Sequence, residues 1–315
     1  MSEKIATRVA YGEMLVALAD QYPDLVVLDA DLSGSTMSAG FAKAHPERFF
    51  NMGIAEGNMM SVAAGLAACG KMPYASSFAM FATGRAFEQI RNSIGYPRMN
   101  VKVVGSHGGL SVGEDGATHQ CIEDMAIMSS IPGMTVVNPC DGNEMRYAVR
   151  ALMAYDGPAY LRMGRLAVDT VTDAIEDYRF ELGKGVTLRD GSDVTIAATG
   201  LTVQMALKAA DLLAAEGISA RVLDIHTIKP LDQELILKAA KETGCIVTSE
   251  EHSILNGLGS AVSGYLSSVY PTPVIRHGVE DIFGRSGKAA EVLEAFGISP
   301  AGIIAKVKEA LKLKK

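Results

Sequence analysis

Two consecutive α/β units, each built on a mainly parallel sheet, are predicted by three observations. Short β-branched apolar runs alternate with longer segments rich in Ala, Leu and Met, the pattern of strand and crossover helix. That pattern lapses between about Leu166 and Asp190, where acids, Thr and Gly accumulate, and resumes at Val194-Thr195-Ile196-Ala197-Ala198. The length of 315 residues allows about two domains with cores that need no disulfides. The expected division is a first domain over residues 1–168, a linker at 169–189 and a second domain over 190–315.

The elements follow in order. Thr7 to Gln21 is a long Ala/Leu/Met segment and reads as a helix, and the compact apolar run Leu25 to Leu28 reads as a strand. A further apolar segment turns through Gly53 into Asn58 to Ala68, whose Ala, Met, Val and Leu content is that of a buried helix. Strands are then expected at Pro73 to Ser76, Val101 to Gly105, Met134 to Asn138 and Ala159 to Arg162, alternating with helices at Ala79 to Ile94, Ile122 to Ser129 and Asn143 to Tyr155. The second unit reads as the strand from Val194, a helix near Val203 to Glu216, a strand at Ala220 to Ile225, a helix near Asp232 to Thr243 and a strand at Cys245 to Ser249. Further helices start near Gly257 and Ala289, and the basic tail Lys306 to Lys315 is a helix end with a charged face.

Hydrophobic residues make up 48% of the chain and charged ones 21%, as in an ordinary globular protein. The net charge of −7 gives no electrostatic reason to expect nucleic acid or an anionic membrane as partner. No apolar run reaches membrane-spanning length. The start Met1-Ser2-Glu3-Lys4-Ile5 lacks the basic-then-apolar profile of a signal peptide, so a cytoplasmic location is expected. Cys69, Cys121, Cys140 and Cys245 lack metal-ligand or C-x-x-C spacing and read as reduced core residues. The histidines form no H-E-x-x-H, so no metal site is expected in this chain.

The most informative stretch is Phe49-Phe50-Asn51-Met52-Gly53-Ile54-Ala55-Glu56-Gly57-Asn58-Met59-Met60, which sets one carboxylate at the mouth of a helix just after a strand. Glu56 has two readings. It is either a first-turn surface acid complementing the helix dipole, or a carboxyl in an apolar site, suited to share a proton with a bound base. Two more unusual segments follow. One is Ala75-Ser76-Ser77-Phe78-Ala79-Met80-Phe81-Ala82-Thr83-Gly84-Arg85, where a Phe pair three apart is either core or a ring-stacking site. The other runs from Gly105 to Gln120 and carries His107, Glu114, Asp115 and His119 on a glycine-rich loop expected at a strand's C-terminal end, where α/β sheets bind ligands.

In this order, G-I-A-E-x-N-M, S-x-F-x-x-F and H-x-x-x-x-x-G-E-D-G-x-x-H-Q resemble the C-terminal half of transketolase, the thiamine diphosphate enzyme. The resemblance is closest to the separate C-terminal subunit of split transketolases and covers essentially the whole chain. It implies a pyrimidine-binding parallel-sheet domain followed by a transketolase C-terminal-type α/β domain. It further implies that Glu56 contacts N1' of the cofactor's aminopyrimidine, so that the neighbouring 4' nitrogen can remove the thiazolium C2 proton. Phe78 and Phe81 are the matching aromatic positions, with Phe81 the better placed to stack on the ring. Gly84 stands where many transketolases have a further aromatic, leaving Arg85 or Phe87 to shape the pocket.

By the same resemblance His107 and His119 line the substrate channel and act on sugar oxygens, and Asp115 meets a hydroxyl near the reacting carbon. Arg8, Ser35 and Arg165 match the positions that hold a substrate phosphate, with Arg162 an alternative to Arg165. No catalytic role is assigned to His226, His252 or His277. Glu250-Glu251-His252 and Phe283-Gly284-Arg285-Ser286-Gly287 are read as packing and subunit contacts, Arg285 replacing an acid common in the family.

Thiamine enzymes hold Mg2+ and the diphosphate through a G-D-G motif that this sequence lacks. The implied assembly therefore pairs this chain with a separate N-terminal subunit carrying Mg2+ and diphosphate, as a heterotetramer with two of each. The activity implied is transfer of a two-carbon ketol unit between sugar phosphates, as in the pentose phosphate pathway. The alternatives are a related enzyme for an unusual sugar phosphate, the β subunit of a 2-oxo acid dehydrogenase, and a noncatalytic regulatory homologue. A deoxyxylulose-phosphate synthase is also similar but would be a longer chain.

Overall fold

The computed structural model describes residues 4–175 and 178–314. Met1 to Glu3, the acidic pair Glu176-Asp177 of the expected linker and Lys315 of the basic tail lie outside the described residues. The first sheet has the strand order Thr227–Lys229, Thr135–Val137, Ala159–Arg162, Lys102–Ser106, Met72–Phe78, Leu25–Asp29, Phe49–Asn51. All neighbours run parallel except Thr227–Lys229, which lies antiparallel to Thr135–Val137. Its central strands are buried along their whole length, which explains why they read as continuous apolar runs.

The second sheet has the order Val274–Val279, Ile246–Ser253, Val194–Ala198, Ala220–Asp224, Val186–Arg189, with only the last pair antiparallel. Apart from the helix expected at Ala79 to Ile94, the expected strands and helices are present near their predicted places with boundary shifts of a few residues. Two differences have a physical cause. The stretch read as a linker contains the strand Ala167–Asp169, paired with Lys4–Ala6, and Val186–Arg189, paired in the second sheet. Such short strands carry too few residues for a periodic signal and are fixed by partners distant in sequence. Thr227–Lys229 likewise crosses back to the first sheet, and Leu223, Ile225 and Ile228 join the same apolar cluster as Val101, Val103 and Met134.

The helix expected at Ala79 to Ile94 is not regular. Met80–Arg85 and Ile90–Gly95 are wide π-helical turns around the short α-helix Phe87–Gln89. Extra residues inserted in a helical turn are typical of functional sites and invisible to 3.6-residue periodicity. The helix Glu56–Ala68 lays Met59, Met60, Ala63 and Ala64 into the cluster containing Val26, Leu28, Ala75 and Val103, which seats its N-terminus over the strand ends. Cys121, Cys140 and Cys245 are buried as expected, whereas Cys69 caps this helix on the exposed side. No helix among the described residues is long and apolar enough to cross a membrane.

Candidate active site

The chain leaves Leu25–Asp29 toward the edge strand Phe49–Asn51 but leaves Met72–Phe78 in the opposite direction, toward Lys102–Ser106. The loops beyond these adjacent strands therefore diverge, and a crevice opens at their carboxyl ends, the usual ligand position of an open α/β sheet. Asp29 stiffens one wall: its buried carboxylate accepts from the Leu32 N–H at 2.6 Å, Thr36 Oγ1 at 2.6 Å and Ser38 Oγ at 3.0 Å. The loop so held carries Ser35.

Glu56 is the first residue of its helix and is 1% exposed, so the surface-acid reading does not hold. The Ser77 hydroxyl donates to its Oε1 at 3.1 Å, and Arg85 Nη1 donates to Oε2 at 2.8 Å. Ser77 leads directly into an aromatic cluster. Phe78 is buried and stacks on His107 with centroids 4.1 Å apart, while Phe81 meets His119 edge-on at 5.2 Å. Phe81 is half-buried, and the Arg85 guanidinium lies 4.6 Å over its ring. Of the two residues expected to shape the pocket beside Gly84, Arg85 does so, whereas Phe87 packs into the core.

His107 directly follows the strand Lys102–Ser106 in the left-handed region with φ 60°, its Nδ1 2.7 Å from the Ser106 hydroxyl. Burial pushes its imidazole down to about 3, with Arg8, Arg165 and His119 adding to the effect. It is therefore neutral at physiological pH and works as a hydrogen-bonding group. His119 is half-buried with Thr118 Oγ1 2.9 Å from its Nδ1, and Asp115 is exposed.

Arg8 lies within reach of both Ser35 and the Arg165 charge. Arg8 Nη1 donates to the Ser35 carbonyl at 2.8 Å. Burial, then the Arg165 charge, lowers the Arg8 guanidinium below its usual range. Arg8 Nε is a buried donor without a hydrogen-bond partner. Arg165 donates to Glu114 at 2.6 Å and to the Val112 carbonyl. Two mutually repelling guanidiniums, one with an idle donor, suit an anion. Arg162 is excluded from that role: it is buried, pairs with Asp124 at 2.7 Å and donates to the Cys121 and Glu251 carbonyls.

The second half of the chain buttresses the glycine-rich loop through the two segments read as packing contacts, although the sequence did not show that this loop is what they pack against. Glu251 accepts the Ser111 N–H, and burial pushes its carboxyl up to about 7. Gly109, at φ 86°, is needed here, since a Cβ would lie 2.5 Å from the Glu251 carboxyl carbon. Gln120 Nε2 donates to the Arg285 carbonyl at 2.9 Å, tying the other end of the loop to the Phe283-Gly287 segment. Ser77, Ser106 and Glu251 escape sequence reasoning as site residues, although each lies in a segment singled out there: Ser77 next to Phe78, Ser106 next to His107 and Glu251 in Glu250-Glu251-His252.

A buried set unforeseen from spacing, Cys140, Glu144 and Asp224, has ligand-type atoms within 4.8 Å of one another. Glu144 is already bonded by the Cys140 N–H at 2.6 Å and by the Tyr178 hydroxyl. Burial, then the Glu144 charge, pushes the Asp224 carboxyl well above its ordinary value, as expected of two carboxyls packed against each other. Beside Phe81 and Arg85 lies a cavity of about 820 Å³, whose walls include Thr118, Glu123 and Ile282. A larger cavity of about 960 Å³, walled by Ser129, Lys229 and Tyr265, is lined by none of the candidate site residues.

Family models described as the transketolase pyrimidine-binding domain and the transketolase C-terminal domain match residues 3–170 and 183–303. A putative transketolase C-terminal section from Methanocaldococcus jannaschii is 49% identical over 97% of this chain and 96% of its own length. A 6-deoxy-6-sulfo-D-fructose transketolase subunit from Clostridium sp. (strain MSTE9) is 43% identical over 94% of this chain and 92% of its own. Among solved structures, a split gene transketolase described as an inactive β4 tetramer superposes with a TM-score of 0.92 at 51% identity, covering 99% of this chain and all of that one.

Proposed function

The chain belongs to the transketolase family, and from that premise we propose that it is the C-terminal subunit of a two-chain, thiamine-diphosphate-dependent transketolase moving a two-carbon ketol unit from a ketose to an aldose. The observation that carries this reading is Glu56, 1% exposed and bonded to Ser77 and to Arg85, whose guanidinium lies over the Phe81 ring. A buried carboxylate and an aromatic ring close enough to be spanned by one flat cation fit the aminopyrimidine end of the cofactor. Nothing in the sequence fits the other end, because G-D-G is absent. The diphosphate and Mg2+ are therefore assigned to a partner subunit, two copies of each chain forming the enzyme, in the cytoplasm.

Thiamine diphosphate, when bound, supplies the carbon nucleophile that takes up the two-carbon unit. In this reading Glu56 holds and releases the proton at the pyrimidine nitrogen, with Ser77 fixing its orientation. Phe81 stacks on the ring, and Phe78 backs His107. His107, neutral, and His119 hydrogen-bond the donor's carbonyl and hydroxyl oxygens, and Asp115 reads a hydroxyl beside the reacting carbon. Arg8, Ser35 and Arg165 bind the far anionic end of the sugar.

A sugar phosphate fits that basic end. A second reading follows from the Clostridium relative, whose named substrate carries a sulfonate there. Both are oxyanions that two guanidiniums can bind. The test is ketol transfer with Mg2+ and thiamine diphosphate, for this chain alone and mixed with a genomic neighbour carrying G-D-G. Xylulose 5-phosphate and 6-deoxy-6-sulfofructose serve as donors and ribose 5-phosphate as acceptor. Activity in the mixture alone supports the two-chain reading; silence with both donors in a mixture that has assembled favours a noncatalytic homologue.

A further inference from the structure

Both oxygens of Glu56 are taken. Ser77 reaches Oε1 from within the fold, but Arg85 reaches Oε2 from the solvent side: its side chain is 49% exposed and the carboxylate it touches 1%. The same guanidinium lies over Phe81 at 4.6 Å. A flat cation thus has one N–H on the buried carboxylate and its central carbon over the aromatic ring. A flat aminopyrimidine would need those two contacts, and both groups cannot have them at once.

An alternative position for Arg85 lies next to it. The cavity of about 820 Å³ is lined by Phe81 and Arg85 themselves and by three carboxylate residues, Glu123, Glu280 and Asp281. Of these, Glu280 has Lys306 at 3.8 Å and Glu123 accepts the Ile122 N–H at 2.8 Å, so the wall is acidic with little compensation. Arg85 ends the wide π-helical turn Met80–Arg85, and Gly84 precedes it. An irregular turn with a glycine beside the moving residue suits a side chain with two stations.

Resting on the cofactor reading above, we infer that Arg85 is a displaceable latch: it fills the pyrimidine place on Glu56 and Phe81 until the cofactor drives it into the acidic cavity. The competing view is a fixed clamp that orients Glu56, and the two differ in the sign of one measurement.

Thiamine diphosphate affinity is measured by isothermal titration in the assembled complex with the G-D-G subunit and Mg2+, for wild type and Arg85→Ala. Losing a half-exposed ion pair and a cation–ring contact that compete with the ligand should tighten binding by about five- to thirtyfold. Arg85→Lys, which keeps the charge but loses the flat fork, should fall between. Neutralising the cavity by Glu280→Gln with Asp281→Asn should weaken binding when Arg85 is present and leave it unchanged in Arg85→Ala. Unchanged or weaker binding in Arg85→Ala overturns the latch. No binding by wild type or variant in an assembled complex overturns the cofactor reading itself, and this inference with it.

Discussion

Glu251, from the second sheet, accepts the backbone N–H of Ser111 on the loop that carries His107 and His119. One buried carboxyl thus couples the second sheet to the loop of the first. Its carboxyl is pushed up to about 7, chiefly by burial against the lowering effect of Arg162. The folded state therefore binds this proton more tightly than the unfolded chain, and stability is lost as pH rises from about 4.5 toward 7.

Glu251→Gln, which can still accept the Ser111 N–H, removes that loss. Its stability relative to wild type should rise across pH 4.5 to 7 and level off above, by about 3–4 kcal/mol at most. Urea unfolding of both proteins at a series of pH values measures the gap. A gap independent of pH would contradict the assignment.

Asp224 gives a second pH effect of the same sign. Its raised carboxyl faces Glu144 across the join of the two sheets, so Asp224→Asn should gain on wild type as pH rises above the usual carboxylate range, by up to about 1.4 kcal/mol per pH unit. Lys102, lowered to about 7 by burial, titrates with the opposite sign in part of that range. The difference between the two proteins is therefore the quantity to follow, by thermal melting from pH 5 to 9.

Arg162 and Asp124 form a buried pair at 2.7 Å, to which Tyr160 adds a hydrogen bond at 2.6 Å. Arg162→Met leaves buried Asp124 without its cation, and should cost about 3–5 kcal/mol in chemical unfolding. Arg165→Met, whose side chain is 36% exposed, should cost under about 1 kcal/mol. Similar losses for both would undo the separation of their roles.

Arg8→Ala and Arg165→Ala should instead act on substrate. Each is expected to raise KM for a phosphorylated donor about tenfold or more, while KM for the same sugar without its anion changes little. Steady-state kinetics with the paired donors tests it. Equal effects on both donors would move the anion site elsewhere.

The repeating apolar runs carry most of the fold, because strands buried on both faces and helices laid across them leave their pattern in composition. Glu56 is legible because its segment is unusual in itself. What stays hidden depends on contacts between distant residues. Arg85 lies 29 residues from the acid it touches, and nothing local separates Arg162 from Arg165 until burial does. The strands Ala167–Asp169 and Thr227–Lys229 exist through their partners, and the Cys140, Glu144 and Asp224 set joins residues from both halves. The Met80–Arg85 turn reads as regular helix in the sequence because π-helical spacing departs from the 3.6-residue repeat that composition suggests.

The most direct measurement is ketol transfer by Glu56→Gln in the complex assembled with the G-D-G subunit. The amide that replaces the carboxyl keeps its size and the Ser77 contact but cannot take up and release the pyrimidine proton. Turnover should fall at least about a hundredfold with assembly and melting temperature little changed. Full turnover by a variant shown to be assembled would contradict the account.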